Sequence, residues 1–519
     1  MDHRMDWKKA FFIGALALVC ANALLYTARQ ANPLVMSDEW VYLDSFVRKA
    51  AASDLTLFDF FAKRSGMDHA NPLRRLVLLM HYEWFDLDYS VQGLVGILFA
   101  FANLAVLWRI AAPRDAGSRG APWFLAGFLA IAAVYLSLNS GMIYTWPLMT
   151  MAFSNQFFVL LCILQAWKAN NDASRRPALV LFGAAFAMNV VADDTALLAS
   201  IAMMGATLVW RMHGLDRRES AASAAKSVAL PMLAAYMAYK AMYFLVTRGA
   251  YIAAPLSDRL SMSNKLAQLA QHPAEMLVAL HVPFVASLVQ RTQFNRLFGP
   301  ESHAAEWVLA IMVACAHAWF WWRAGTRRTG RAGFAAIALM LYSYGCVAAI
   351  LIGRASVYGA HYFWQPRYVF LYQLSIVALL LMAIDAGSLA RVPAVAMRAA
   401  PLARKAVVAF ACILVLLQCR LSAWTWQGIG YSDGFQRKLA RQIGELAAHP
   451  DKNPEKCVPA LILCRYPPGQ RAELLRFLQD NQLNVFSPAF QARHGLFPGK
   501  RRQSPASSAA SAASSTRSR

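Results

Sequence analysis

Two adjacent carboxylates, Asp38 and Glu39, stand about ten residues beyond the first long apolar run of the chain, and Trp40 follows them. A carboxylate that is desolvated beside apolar surface gains proton affinity and can act as a general base toward a hydroxyl or an amine. An acid at this place can also simply cap a helix, where it meets the positive end of the helix dipole. We expect Trp40 to anchor the pair at the membrane interface. Asp44 follows as a third acid of the same segment.

A second acidic pair, Asp193 and Asp194, occupies a very tight turn between two apolar runs. Two neighbouring acids in so short a turn repel each other unless a cation lies near. A divalent metal, an acceptor amine or a basic side chain could supply that charge. A solvated turn is the alternative interpretation.

A third set of candidate residues is basic or aromatic and flanks later apolar runs. Arginine is suited to phosphate because its guanidinium group binds it in a two-pronged fashion. The aromatic residues of this set could equally form an interfacial belt. The candidates for binding a phosphate are Arg367, Arg354, Lys240, Arg248, Tyr368 and His361.

The composition identifies an integral membrane protein. Of 519 residues, 58% are hydrophobic and 15% are charged, and the mean hydropathy is +0.37. This is more apolar surface than a soluble protein can bury. The net charge of +23 comes from basic residues in short clusters between apolar runs, the pattern that membrane orientation produces, so we do not expect nucleic-acid binding.

About eleven transmembrane helices are predicted from runs long enough to cross the hydrocarbon layer. With the N-terminus inside, every inner loop is basic, which supports both the odd number of spans and their orientation. After the first run, at 10–28, the predicted spans are 91–110, 122–138, 148–167, 177–191, 196–210, 227–247, 304–322, 332–352, 367–386 and 405–420.

Four segments lie outside these spans. The first outer loop, 30–90, is predicted to contain two amphipathic interfacial helices separated by Ser53 and Asp54. The outer loop 248–303 contains the moderately apolar stretch 275–289, which could be re-entrant, interfacial or a further span. Residues 421–499 form a small extracytoplasmic C-terminal region with helix-like stretches at 435–448 and 471–479, where Cys457 and Cys464 can pair only in an oxidising compartment. The basic, Ser/Ala-rich tail 500–519 is expected to be disordered.

The order of these features resembles the membrane-embedded glycosyltransferases of the GT-C superfamily, which take a sugar from a polyprenyl-phosphate carrier on the extracytoplasmic side. The likeness is carried by Ser37-Asp38-Glu39-Trp40 opening an outer loop after one span, by Asp193-Asp194 and by Pro366-Arg367-Tyr368. The stretch 474–488 looks like the short ending of bacterial proteins of this type. The chain has neither the Trp-Trp-Asp signature nor the large soluble domain of the oligosaccharyltransferases, which favours transfer of a single sugar.

The resemblance implies a GT-C-like domain over 1–420 and an inverting reaction. Asp38 or Glu39 would deprotonate the acceptor hydroxyl, while Arg367 and Arg354 would stabilise the departing polyprenyl phosphate. Asp44, Asp193 and Asp194 would lie on the acceptor side or hold a metal, and a divalent cation is one candidate cofactor. The partners implied are a polyprenyl-phosphate sugar donor, membrane lipid and a glycan, lipid or protein acceptor. The location implied is the bacterial inner membrane, with the N-terminus cytoplasmic and the C-terminus periplasmic.

Two other classes of protein remain open. A lipid-linked glycan transporter, polymerase or ligase uses cationic cavities or a large late loop rich in Arg and His, and has little use for acids directly after the first span. A non-catalytic scaffold of the cell envelope would need neither the acids nor Arg367.

Overall fold

The computed structural model describes residues 7–63, 69–113, 116–172, 174–212, 222, 225–252, 262–271, 273–388 and 396–496. Within these ranges the protein is helical, and its only β-type pairing is an isolated bridge between Lys63 and Tyr251. The longer helices are α1 Trp7–Gln30, α2 Pro72–Phe85, α3 Ser90–Ala111, α4 Pro122–Tyr135, α5 Ala152–Asn171, α6 Arg175–Ala192, α7 Asp194–Arg211, α8 Leu230–Thr247, α9 Met262–Gln271, α10 Pro273–Ala279, α11 His281–Leu288, α12 Arg291–Phe298, α13 His303–Thr326, α14 Arg331–Ile350, α15 Pro366–Ser388, α16 Ala396–Gln427, α17 Ile429–Ala448, α18 Pro468–Asp480 and α19 Pro488–His494. Shorter helical turns are Glu39–Tyr42, Leu43–Val47, Arg48–Ala51, Leu57–Phe61, Ala116–Arg119, Leu138–Ser140, Met142–Thr145, Pro147–Thr150, Ala225–Ala229, Leu351–Ala355, Ser356–Tyr358, Ala360–Trp364, Ile462–Arg465 and Asn484–Phe486.

The all-α polytopic membrane fold predicted from the sequence is confirmed, whereas the count of eleven spans is not. In the described ranges nine helices are long and apolar enough to cross a membrane. Two of the predicted spans correspond to shorter apolar helices, Arg176–Ala192 and Thr195–Arg211. The predicted ambiguity at 275–289 has a structural counterpart, because Pro273–Leu288 and Arg291–Phe298 form a pair bent by 84°, as in a broken span or a re-entrant loop.

Successive long helices are antiparallel, so their termini lie at two opposite ends of the bundle. At one end Arg331 donates hydrogen bonds to the carbonyls of Ile110 and Ala112, and the indole of Trp210 donates to the carbonyl of Thr329. We call this the basic end, since many arginines of the predicted inner loops lie there. The opposite end, where α1 finishes and α15 begins, is the carboxylate end. The candidate site residues lie at helix termini and in loops of the carboxylate end, except Lys240, which lies within α8 and reaches the turn before α7.

The core of the bundle is formed by α4, α5, α14 and α15, whose inward faces are almost fully buried. The outermost helices instead expose large apolar side chains such as Phe11, Leu18 and Leu416, as expected for surfaces that face lipid. Close packing requires a glycine at position 96 of α3, since a Cβ atom there would lie 2.7 Å from the carbonyl oxygen of Thr150.

The first loop after α1 is more structured than the sequence predicts. The two expected helical stretches are present, with Ser53 in the left-handed region (φ 56°) between them, and they are followed by the unpredicted helix α2. The expectation that Trp40 anchors the acids at the interface is wrong. Its side chain has no exposed surface and packs in an apolar core below the acids.

That core is shared with the C-terminal region. Leu34, Val35 and Trp40 pack in one cluster with Leu474 and Leu478. The last spanning helix, α16, continues to Gln427, beyond the predicted end at 420, and leads into the helices that cover the first loop. A disulfide joins Cys457 to Cys464. The tail 500–519 lies outside the described residues.

Candidate functional site

Asp38 and Glu39 start the helical turn at the beginning of the first loop, and their side chains have different environments. Asp38 is half-buried and stands at the N-cap position, but its side chain makes no capping hydrogen bond. Glu39 is 1% exposed, and its Oε2 atom accepts a hydrogen bond of 2.8 Å from the backbone N–H of Met36. The simple capping interpretation therefore fails for Asp38. Of the two acids, Asp38 is the one accessible from outside.

The environment of Glu39 favours its neutral form. Burial raises the pKa of Glu39 well above its usual range, against smaller lowering effects of the Met36 N–H and the Arg74 guanidinium, and the charge of Asp38 raises it further. The buried indole N–H of Trp146 faces the Glu39 carboxyl and lowers this pKa as a hydrogen-bond donor, the smallest of these effects. Glu39 is thus a buried acid beside a more accessible one.

The helix α2 connects this acid pair to the rest of the carboxylate end. Its start follows from Pro72 at the first helical position, where proline needs no hydrogen-bond donor. Arg74 acts electrostatically on Glu39 and donates to the carbonyl of Leu148 at 3.3 Å. A small cavity of about 10 Å³, room for about one water molecule, lies beside it and is lined by amide, hydroxyl and guanidinium groups. It is lined by Asn71, Leu73, Arg74, Met151, Ser154, Asn155 and Val191.

Asp193 lies in the turn between α6 and α7 and has no exposed surface, so it is not a solvated turn residue. The hydroxyl of Tyr239 donates to its Oδ1 atom at 2.9 Å, and Nζ of Lys240 lies 3.2 Å from the same oxygen. Nζ of Lys63 lies 2.5 Å from Oδ2, which also accepts from the N–H of Ala70 at 3.1 Å. Basic side chains, one of the three sources of positive charge expected from the sequence, therefore lie beside this carboxylate.

The backbone of Asp193 is unusual as well. Its φ is +44° and its ψ −122°, a conformation that costs a non-glycine residue of order 1–3 kcal/mol. The dense bonding of its carboxylate offsets that strain. The side chain of the neighbouring candidate, Asp194, lies outside the described part of the chain.

Asp44 is engaged in a structural contact. Its carboxylate pairs with Arg48 at 2.8 Å and accepts a hydrogen bond of 2.7 Å from the side chain of Gln470 in α18. This joins the first loop to the C-terminal region.

The predicted phosphate-binding residues divide into a cluster and three outliers. The guanidinium of Arg367 lies over the rings of Tyr362 and Tyr368, at 5.3 and 5.0 Å from their centroids, and donates to the Tyr362 hydroxyl. Arg354, from the turn Leu351–Ala355, acts electrostatically on Tyr368 too. The buried Nε atom of Arg367 has no hydrogen-bond partner among the described residues. This cluster offers positive charge and an unused donor to an anion.

The three outliers have other environments. Lys240 pairs with Asp193, as described above. Arg248 is exposed at the C-terminal end of α8, where its φ is +50°. His361 is exposed in the turn that precedes α15.

Sequence reasoning missed Lys63, Arg74 and Tyr239. Arg74 carries a detectable signal, because an Arg pair in a predicted outer loop opposes the orientation bias. Lys63 and Tyr239 carry none, since their role depends on a contact between distant parts of the chain. In the described ranges no group of three or more His, Cys, Asp or Glu side chains is placed to hold a metal ion.

Comparisons with known proteins find similarity at the level of structure. No protein-family model matches the chain, and no curated protein matches it in sequence. The fold is similar to the crystal structure of ArnT from Cupriavidus metallidurans bound to undecaprenyl phosphate, with a TM-score of 0.41 and 15% sequence identity. The match covers 91% of this chain and 87% of that one.

Proposed function

We propose that this protein is a membrane glycosyltransferase that moves a sugar from a polyprenyl-phosphate donor to an acceptor hydroxyl. The observation that carries the proposal is that one end of an apolar bundle holds both an accessible acid, Asp38, and an arginine, Arg367, with an unused buried donor. An acid and an anion-binding cation are what a transfer from a phosphate carrier needs. The resemblance to GT-C enzymes and the fold shared with a protein crystallised with undecaprenyl phosphate accord with this assignment.

In the proposed reaction Asp38 accepts the proton of the acceptor hydroxyl as that oxygen attacks the anomeric carbon. The bond from this carbon to the phosphate oxygen breaks, and polyprenyl phosphate leaves with the electron pair. Attack opposite to the leaving group inverts the anomeric configuration. Arg367, with Arg354 beside it, neutralises the charge that develops on the phosphate.

Glu39 has a supporting role in this scheme. Its burial and raised pKa make it a poor partner for a hydroxyl outside, whereas its hydrogen bond to Met36 shapes the segment that carries Asp38.

We further propose that the carboxylate end faces the periplasm. The arginines of the opposite end follow the rule that basic loops stay in the cytoplasm. The Cys457–Cys464 disulfide belongs to the C-terminal region at the carboxylate end, and disulfides persist in oxidising compartments. Lipid-linked donors serve such a face, because nucleotide sugars are not supplied there.

Profiling lipid-linked sugars and envelope glycan in cells that carry single substitutions tests this function. We expect Asp38→Asn to accumulate the lipid-linked sugar and to lose its transfer to glycan, with the protein inserted at normal level. Arg367→Ala should give the same profile. A transporter would instead be more sensitive to Arg367→Ala than to Asp38→Asn, and a normal profile in both variants would reject both functions.

A further inference from the structure

The short helical turn Asn484–Phe486, which directly precedes α19, contacts both ends of the first loop through one buried side chain. Asn484 has no exposed surface. Its Nδ2 atom donates to the carbonyl of Pro33 at 2.9 Å and to that of Leu87 at 2.7 Å. Its Oδ1 atom accepts from the N–H of Val35 at 3.4 Å. One amide thus serves three backbone groups, and two of them lie three to five residues before Asp38.

The backbone of Asn484 adds a fourth bond and a conformational requirement. Its N–H donates to the carbonyl of Asp86 at 2.6 Å, and its φ is +50°. Asparagine tolerates this left-handed conformation better than most side chains. Only asparagine combines that tolerance with two amide donors and an acceptor on so short a side chain. An aspartate of the same shape would place carboxylate oxygens against two carbonyl oxygens.

Further bonds from the same region hold the acid segment. The backbone N–H of Ser37 donates to the carbonyl of Ala460 at 2.6 Å, between the two cysteines of the disulfide. The hydroxyl of Ser487 donates to Asp86 at 2.8 Å. Residues directly before the acid pair, and Asp86 at the other end of the first loop, are therefore bonded to a part of the chain about four hundred residues away.

We infer that Asn484 is a positioning residue: it fixes the Pro33–Val35 segment and thereby the direction in which Asp38 and Glu39 point. The C-terminal region then completes the active site by holding the segment that carries Asp38 and Glu39, an interaction we call the clamp. This role does not require the region to bind the acceptor. The expected effect of Asn484 on the rate of transfer rests on the proposed function. Its expected effect on the conformation of the segment that carries Asp38 and Glu39 does not.

The test compares Asn484→Asp with Asn481→Asp in the full-length protein in lipid nanodiscs. Asn481 is the matched control, because it is exposed and its side chain donates only within its own helix, to Phe477 at 2.8 Å. We expect Asn484→Asp to raise hydrogen exchange of the Met36–Val41 amides by about tenfold or more, since their opening no longer has to break the clamp. Asn481→Asp should leave exchange unchanged.

The transfer assay supplies the second readout. Asn484→Asp should lower kcat by about tenfold or more with the donor KM nearly unchanged, because an interaction that orients the reacting acid acts in the transition state. The pH profile should shift as well, since the burial of Glu39 changes with the loop. A variant damaged only in stability would keep both the profile and the kcat of its folded fraction.

A second variant guards against misfolding. Asn484→Gly keeps the left-handed backbone accessible and removes the side-chain bonds without adding charge. Wild-type exchange at 36–41 together with wild-type kcat and pH profile in either folded variant would overturn the inference. If hydrogen exchange is faster in the Asn484 variants but the wild-type protein itself transfers no sugar, the clamp is upheld and the proposed function is rejected.

Discussion

The ammonium group of Lys63 lies 2.5 Å from the carboxylate of Asp193, and their side chains are only 7% and 0% exposed. Lys63 belongs to the first loop and Asp193 to the turn between α6 and α7, so this ion pair fastens the far part of the loop to the bundle. Asn484 fastens its two ends. The acid pair is therefore held by a loop with anchors on both the bundle and the C-terminal region.

Replacement of Asp193 by asparagine should destabilise the protein strongly. It removes the carboxylate that lies beside the ammonium groups of Lys63 and Lys240, and breaking a buried pair from one side costs about 3 kcal/mol or more. Thermal unfolding in detergent measures this loss. Lys63→Met should cost more than Lys240→Met, because the Lys240 side chain is 27% exposed. The reverse order would contradict the network as described.

Replacement of Glu39 by glutamine should change how stability depends on pH. Burial raises the pKa of Glu39 in the folded protein above the value of about 4.3 typical of an unfolded chain. The folded state therefore binds this proton more tightly, and its contribution to stability falls as pH rises from about 4 toward the raised pKa. Glu39→Gln, which cannot ionise, should match the wild type near pH 4 and unfold at a higher temperature at pH 8. If the unfolding temperatures of the wild type and of Glu39→Gln differ by the same amount at every pH in this range, Glu39 is not held neutral.

The contribution of Asp88 to stability should change with pH in the opposite direction to that of Glu39. Burial alone would raise the pKa of Asp88, but hydrogen bonds from His494 and Ser90 and the charges of His494 and Arg493 outweigh it and lower this pKa. The stability that Asp88 contributes is present above its unfolded pKa of about 3.9 and is lost as pH falls further. We expect the contact between α19 and the first loop to loosen below about pH 4, seen as faster hydrogen exchange at 488–494. Asp88→Asn should abolish that acid response, and an unchanged response would refute the assignment to Asp88.

Arg367→Lys tests whether the arginine cluster binds the donor phosphate. Lysine keeps the charge but loses the two-pronged geometry and the stacking on Tyr362 and Tyr368, so the donor KM should rise by about tenfold. Arg248→Lys is the control, because Arg248 is exposed and away from the tyrosines. Steady-state kinetics with the lipid-linked donor measure the donor KM of both variants. Equal effects of the two substitutions would remove Arg367 from the site.

The sequence predicts the bundle well because hydropathy and loop charge are local signals. Runs of apolar residues give the spans, and basic loops give their alternation. The count of eleven is not confirmed at α6 and α7, where two short apolar helices meet in a turn whose acid is buried. Only tertiary contacts with Lys63 and Lys240 explain how Asp193 is tolerated there.

The site is less predictable because it depends on contacts between distant segments. The position of Asp38 and Glu39 after the first span marks them as candidates, but nothing in their own sequence separates an accessible acid from a buried one. Trp40 shows the same limit. Its place near the interface suggests a lipid anchor, whereas the C-terminal region covers it and makes it core.

The most direct test of the central proposal is release of polyprenyl phosphate by the purified protein in liposomes that contain a polyprenyl-phosphate sugar and an acceptor. We predict that Asp38→Asn lowers this release by about a hundredfold or more, as loss of a general base does. Asp54→Asn, an exposed acid of the same loop, should keep wild-type release. Release by Asp38→Asn at the wild-type rate would contradict the account.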